Sequence, residues 1–145
     1  MIAEPRRIDR GLLVLRVGVG LSLLIVFGIP KAADAIAYLH TGQWQFVDFN
    51  RRIGLPLPVL VALVQTLNET VAAVLVAAGW WTRYAAGSLT VGFVAATSCS
   101  LVADEPAWLL AAYLALTFGA LVLTGPGKYS LDGLRSARAS AEPRV

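Results

Sequence analysis

The chain has 145 residues, enough for one domain and too few for two. It is 57% hydrophobic and 14% charged; a soluble domain carries about 25% charge, so these residues cannot cover a water-facing surface and lipid must supply the rest. The net charge of +3 comes from 12 Lys and Arg residues scattered over ends and loops, a pattern that does not point to nucleic acid as a partner.

Four apolar stretches follow in chain order. The first spans about Gly11 to Ile29 and is interrupted only by Arg16. The second spans about Leu57 to Gly79 and carries Gln65, Asn68 and Glu69. The third, about Tyr84 to Ala103, and the fourth, about Ala107 to Thr124, hold no charge. Each approaches the roughly 20 residues that cross a hydrocarbon core of about 30 Å. The runs are continuous, not alternating, which excludes barrel strands. The predicted architecture is an all-α, four-helix transmembrane bundle over residues 1–134, with helices at about 11–29, 57–79, 84–103 and 107–124. The small, polar and charged tail at 135–145 is predicted to be disordered.

The first stretch is read as retained. It is long for a signal-peptide core and contains an arginine, and the cleavage-like Ala35-Ile36-Ala37 lies beyond its end. Between the first two stretches, Pro30 to Pro56 reads as a loop. Within it, Phe46, Phe49 and Ile53 recur at helical spacing, which predicts a short amphipathic helix over Trp44 to Ile53 on the outer membrane surface. Lys31 and His40 are read as solvated residues of this loop. Trp80, Trp81 and Tyr84 are placed at the inner interface and Trp108 at the outer one.

Orientation follows from the basic residues. Arg6, Arg7 and Arg10 precede the first helix, Arg83 sits in the link between the second and third, and Lys128, Arg135, Arg138 and Arg144 follow the fourth. The link between the third and fourth is Asp104-Glu105. Both termini are therefore expected in the cytoplasm, in a cell (inner) membrane. Lys31, Arg51 and Arg52 on the outer loop oppose this assignment, and three regions outvote one.

Close packing is expected from small residues: Gly18 and Ser22 on the first helix, Ala73 and Ala77 on the second, Ser88, Gly92, Ala96 and Ser100 on the third, and Ala111, Ala115 and Gly119 on the fourth. The candidate site is polar and intramembrane. Arg16 lies roughly 7 Å inside the first helix and Glu69 near the middle of the second. A lone charge at such depth costs at least about 3 kcal/mol, so the two are expected to pair, with Gln65 and Asn68 on the same face at i, i+3 and i+4. Two readings stand side by side: an ion pair that fixes packing, or a polar cavity that binds a head group such as a quinone or relays protons. One cysteine, Cys99, excludes an internal disulfide, and is read as a small core residue. One histidine, His40, with no CxxCH or HExxH, excludes a His-rich metal or haem site within the chain. No catalytic residues and no intrinsic cofactor are assigned.

Several short pieces resemble the DoxX family of four-helix membrane proteins. They are Leu15-Arg16 with Gly20, Gly28-Ile29-Pro30-Lys31, Gly54-Leu55-Pro56, Glu69, Gly79 with Thr82-Arg83, and Gly125-Pro126-Gly127-Lys128-Tyr129-Ser130-Leu131-Asp132. Their order and spacing carry the likeness. The resemblance implies a membrane subunit associated with a terminal oxidase, a thiosulfate:quinone oxidoreductase or redox-defence proteins. It also implies that Arg16 and Glu69 fall at positions the family tends to keep. Phe27 departs from the family pattern, because many members carry histidine before the glycine. The function expected from this resemblance is an accessory or anchoring subunit of a membrane oxidoreductase or electron-transport complex, with lipid and redox subunits as partners and quinone at an interface. The alternatives are a stand-alone binder or transporter of a small hydrophobic ligand and a purely structural subunit.

Overall fold

A computed structural model describes residues 4–141. Among these the structure is all-helical. Helix α1 (Glu4–Leu23) enters a π turn at Leu24–Gly28 and continues as α2 (Ile29–Thr41). Helix α3 (Gln45–Arg52) follows. Helix α4 (Pro58–Leu67) passes through a second π turn at Asn68–Ala72 into α5 (Ala73–Ala78). Helices α6 (Thr82–Val102), α7 (Trp108–Thr124) and α8 (Leu131–Ala141) complete the chain. Four apolar rods result: α1–α2, α4–α5, α6 and α7. The first three are long and apolar enough to cross a membrane, and α7, with 17 residues, is about 26 Å long.

Burial is inverted relative to a soluble bundle. Leu123, Val14, Val91 and Leu116 are each at least 70% exposed, whereas Arg16 and Glu69 are 2% exposed. Apolar side chains turned outward with charges turned inward define a protein whose solvent is lipid. The core is small and aliphatic at the centre (Leu23, Val76, Leu89, Leu121), with Phe93 and Phe118 stacked at 5.9 Å between α6 and α7.

Three sequence expectations change. Pro30 does not end the first helix, which stays helical to Thr41; the apolar rod Arg7–Thr41 has 35 residues, or about 52 Å. Proline cannot donate the usual helical bond, and the π turn just before it adjusts the backbone bonding locally, a known way for membrane helices to tolerate the residue. The amphipathic segment forms as α3, yet its buried residues are Val47 and Asn50. Trp44 and Val47 pack on Ala62 and Val59 of α4, and Asn50 Nδ2 donates to the Pro58 carbonyl at 3.2 Å, so α3 is docked on protein, with Phe46 and Phe49 half-buried. The segment from 135, expected to be disordered, is helical through Ala141 as part of α8; residues 142–145 lie outside the described residues.

Small residues do set the close approaches, though not all of those expected. A Cβ on Gly18 would meet nothing within 4 Å, and Ser22 is exposed. Gly20 is the contact instead: a Cβ there would sit 2.9 Å from the Ala73 carbonyl and 3.0 Å from the Ala77 Cβ. Ala73, Ala111, Ala115 and Ser100 are buried as expected, and Ser88 is exposed.

One end of the bundle is closed by a latch. The Arg16 guanidinium donates from Nη1 to the Pro126 carbonyl and from Nη2 to the Tyr129 carbonyl, both at 2.7 Å. Ser130 Oγ donates to the Gly127 carbonyl and accepts from the Gly133 amide. The Asp132 amide donates to the Gly79 carbonyl at 3.0 Å. The Asp132 carboxylate accepts from the amides of Trp81 and Thr82, both at 3.0 Å, and from the Thr82 hydroxyl at 3.1 Å. The orphan amides that open α6 are thereby capped by a side chain 50 residues away, since no local side chain caps them. Asp9 joins the same loop through the Lys128 amide at 3.2 Å.

Gly79 allows this closure. Its φ is +73°, and an added Cβ would overlap the Arg16 Nη1 and lie 2.6 Å from the Ser130 Cβ. Gly79→Ala should therefore cost about 2–5 kcal/mol, from left-handed strain plus overpacking. Gly42→Ala, at φ +65° in open space, should cost only about 1–2 kcal/mol. Melting temperatures in detergent check the contrast, and equal losses would contradict it.

Burial opposes ionisation of the Asp132 carboxyl, but the bonds from Thr82 and Trp81 and the charge of Arg135 outweigh it and hold its pKa below the ordinary value. Its contribution is then full above the unfolded aspartate value of about 3.9 and is lost as pH falls through the folded value. Below about pH 4 the Trp81 and Thr82 amides of the wild type should lose protection, read as exchange relative to the intrinsic rate at the same pH. In Asp132→Asn the exchange should be fast already and lose this step.

Candidate functional site

The site is built where the two π turns meet. A π turn carries an extra residue, widens the helix locally and is frequent at functional positions. The two here touch because Gly28 lacks a side chain: a Cβ would come within 3.2 Å of Thr70 Oγ1 and 3.3 Å of the Glu69 carbonyl. Thr70 Oγ1 is placed to donate to the carbonyls of Thr66 at 2.7 Å and Gly28 at 3.3 Å, which ties one π turn to the other.

Glu69 lies in the second π turn and is 2% exposed. Its partner is Lys31, not Arg16. Lys31 Nζ is 2.6 Å from Glu69 Oε2, and Gln65 Nε2 donates to Glu69 Oε1 at 2.9 Å. Both carboxylate oxygens therefore have donors. The ammonium also lies 4.4 Å from the centroid of Phe46 and 5.8 Å from that of Phe27, so α3 and the first π turn supply π faces to a charge that α2 carries.

Arg16 belongs to the latch described above. It faces the carbonyls of the loop after α7, which lie toward its own end of the membrane. Asn68 also leaves the group. It accepts from Ser88 Oγ at 2.8 Å and donates to the Ser88 carbonyl at 3.1 Å, tying the second π turn to α6. Of the four residues expected together, only Gln65 and Glu69 meet, and Lys31 joins them. Gly92 of α6 makes the room: a Cβ there would be 3.0 Å from both Gln65 Oε1 and Asn68 Nδ2.

Beside the pair lies an open groove of about 600 Å³ between α2, α3, α4, α6 and α7. Lys31, Gln65 and Glu69 form a polar patch on its wall. Phe27, Phe46 and Phe93 give it aromatic surface, and Cys99 lines it too. Cys99 is thus half-buried at a groove, not sealed in a core. No group of three or more His, Cys, Asp or Glu that could hold a metal occurs among the described residues.

Lys31 is the residue that sequence reasoning missed, because Pro30 was taken as the end of the helix. A continued helix would have put Phe27 and Lys31 one turn apart at i, i+4.

Fold and site together define a small polytopic helical membrane protein with a buried charge pair beside an open groove. The DoxX family profile matches residues 11–103, a span that includes Arg16, Lys31, Gln65, Asn68 and Glu69. The chain is also 30% identical, over 135 residues, to inner membrane protein YphA of Escherichia coli K12, covering 83% of this chain and 87% of that protein. The chain belongs to the DoxX family. No solved structure matches it.

A double-mutant cycle tests the pairing. Lys31→Met alone should cost about 2–3 kcal/mol, below the full range for a buried pair because the Lys31 side chain is 23% exposed. Lys31→Met combined with Glu69→Gln should show coupling of at least about 1 kcal/mol, whereas Arg16→Gln combined with Glu69→Gln should add within about 0.5 kcal/mol. The reverse pattern would restore the Arg16–Glu69 pair.

Proposed function

We propose that this protein binds a small, mostly apolar ligand with a hydrogen-bonding head group, a quinone or a molecule of that kind, in the groove beside Lys31 and Glu69. The observation that carries this reading is the groove itself: about 600 Å³, in the size range of small-molecule sites, with aromatic surface and, among its polar lining residues, the bonded group Lys31, Gln65 and Glu69; Asp34, Arg52 and Glu105 also line it. A ligand carbonyl would accept from Lys31 Nζ or Gln65 Nε2, and a ring would lie against Phe27, Phe46 or Phe93. In a membrane such a ligand arrives from the lipid phase, so a lateral opening suits it.

The accessory role in a membrane oxidoreductase or electron-transport complex rests on the family resemblance and is compatible with this site. A subunit that holds the quinone would serve a partner that carries the electrons. Both termini are assigned to the cytoplasmic side of the inner membrane. Lys31 pairs with Glu69 and Arg51 with Asp48, so the basic residues that opposed this orientation are partly neutralised where they stand.

Gentle extraction in mild detergent, followed by mass spectrometry of the protein and lipid-soluble material retained, tests the reading. A bound quinone or similar molecule is expected, with Lys31→Met lowering its occupancy at least tenfold. A stoichiometric redox protein in the same preparation would support the accessory role. Protein that retains no such molecule and takes up none when quinone is added would overturn the binding reading. A reporter fused after Val145 should read cytoplasmic.

A further inference from the structure

Another concave surface lies at the latch end and shares no lining residue with the groove beside the charge pair. It is a shallow pocket of about 380 Å³ lined by Trp80, Leu131, Leu134, Arg135 and Arg138. The four α8 residues fall at i, i+3, i+4 and i+7, which places them on one helical face. A helix that merely floats on a surface puts its leucines on one side and its arginines on the other. Here the leucines of the first turn and the arginines of the next two share a side. A single amphiphile lying along that face would meet apolar surface first and cations beyond it.

Position and charge select the amphiphile. The Asp132 bonds to Gly79, Trp81 and Thr82 pin the first turn of α8 beside the start of α6, so the face is held next to the membrane rods. Trp80 is 42% exposed, Leu131 46% and Leu134 57%, and apolar surface at this level is covered by lipid. The Arg135 guanidinium lies 5.4 Å from the Trp80 ring, which holds it over the pocket. Neither Arg135 nor Arg138 forms an ion pair among the described residues. The nearby Asp132 carboxylate already accepts from Trp81 and Thr82. Two guanidinium groups with no salt bridge within 4 Å among the described residues, Arg135 sharing only the longer-range field of Asp132, lie beside apolar surface at a membrane interface and match the phosphate and acyl chain of one lipid.

We infer that Trp80 and the first turns of α8 form a binding site for an anionic phospholipid, with the phosphate held by Arg135 and Arg138 and an acyl chain laid along Leu131, Leu134 and Trp80. This site is separate from the groove near Glu69 and does not depend on what that groove holds. It also gives α8 a role, since a lipid bridging Trp80 and α8 fastens the latch from outside.

The test uses the full chain in a neutral detergent and native mass spectrometry, with phosphatidylglycerol and phosphatidylcholine of matched acyl chains. Phosphatidylglycerol should bind at least tenfold more tightly. Arg135→Gln and Arg138→Gln should each weaken it about fivefold, while Arg51→Gln, at the other end of the molecule, should leave it unchanged. Millimolar inorganic phosphate should not displace it. A photoactivatable phosphatidylglycerol should crosslink to Trp80 or to residues 131–138 of the wild type, which locates the site even if a variant folds poorly. Equal binding of the two lipids, an equal loss in Arg51→Gln, crosslinks confined to other segments, or displacement by free phosphate would each overturn the inference.

Discussion

A carboxylate at the middle of a membrane helix must be neutralised, and the unusual features of the upper half of this fold follow from how Glu69 is. Its partner comes from the neighbouring rod at a matching depth. That requires the first helix to continue past Pro30 and carry Lys31 to the right height. The π turn at Leu24–Gly28 lets the rod pass the proline, and Gly28 lets the two rods touch there. The second π turn places Glu69 while Thr70 ties back to the first. Two helix defects that would each weaken an isolated rod support one another, because they sit at the same level and frame the same ion pair.

The other buried charge is resolved differently. Among the described residues Arg16 forms no salt bridge. It uses two backbone carbonyls of the loop after α7, those of Pro126 and Tyr129, which need a partner when buried. Arginine suits this because its planar fork reaches two acceptors at once. Gly79 keeps the space open and Asp132 returns to cap α6. The two charges, expected to cancel one another across a roughly 7 Å offset, instead organise opposite halves of the bundle.

The sequence showed most of what composition and periodicity can show. Four apolar rods, the amphipathic α3 and the burial of Arg16 and Glu69 were all readable, because hydropathy and the cost of charge in lipid act locally along the chain. The pairing was not readable, since it depends on a break in a local rule. Pro30 normally ends a helix, and only the π turn before it reverses that expectation. Without Lys31 in the helix, Arg16 was the remaining cation for Glu69. Gly18 and Ser22 formed a stripe on paper, yet Gly20, one register away, makes the contact with Ala73. A spacing pattern cannot tell which side of a helix faces its neighbour when lipid and protein are equally apolar. The helical α8 was missed although Ser130 caps its start locally, accepting from the Gly133 amide; what lay out of reach was its anchoring, since the Asp132 carboxylate bonds to the start of α6 some 50 residues away.

Charge pairing and groove are linked by exposure. Glu69 is 2% exposed, but the Lys31 side chain is 23% exposed and faces the groove. Sealing both partners would add the desolvation cost of a second ion, which their attraction need not offset. Here the cation is left partly open, backed by Phe46 and Phe27, and the carboxylate behind it is fully satisfied by Lys31 and Gln65. The carboxylate thus orients the ammonium, and the ammonium presents its free donor positions to the groove. On the binding reading proposed above, Glu69 would act through Lys31 and would not need to reach the ligand. The contact for a head group at this wall would then be an acceptor oxygen.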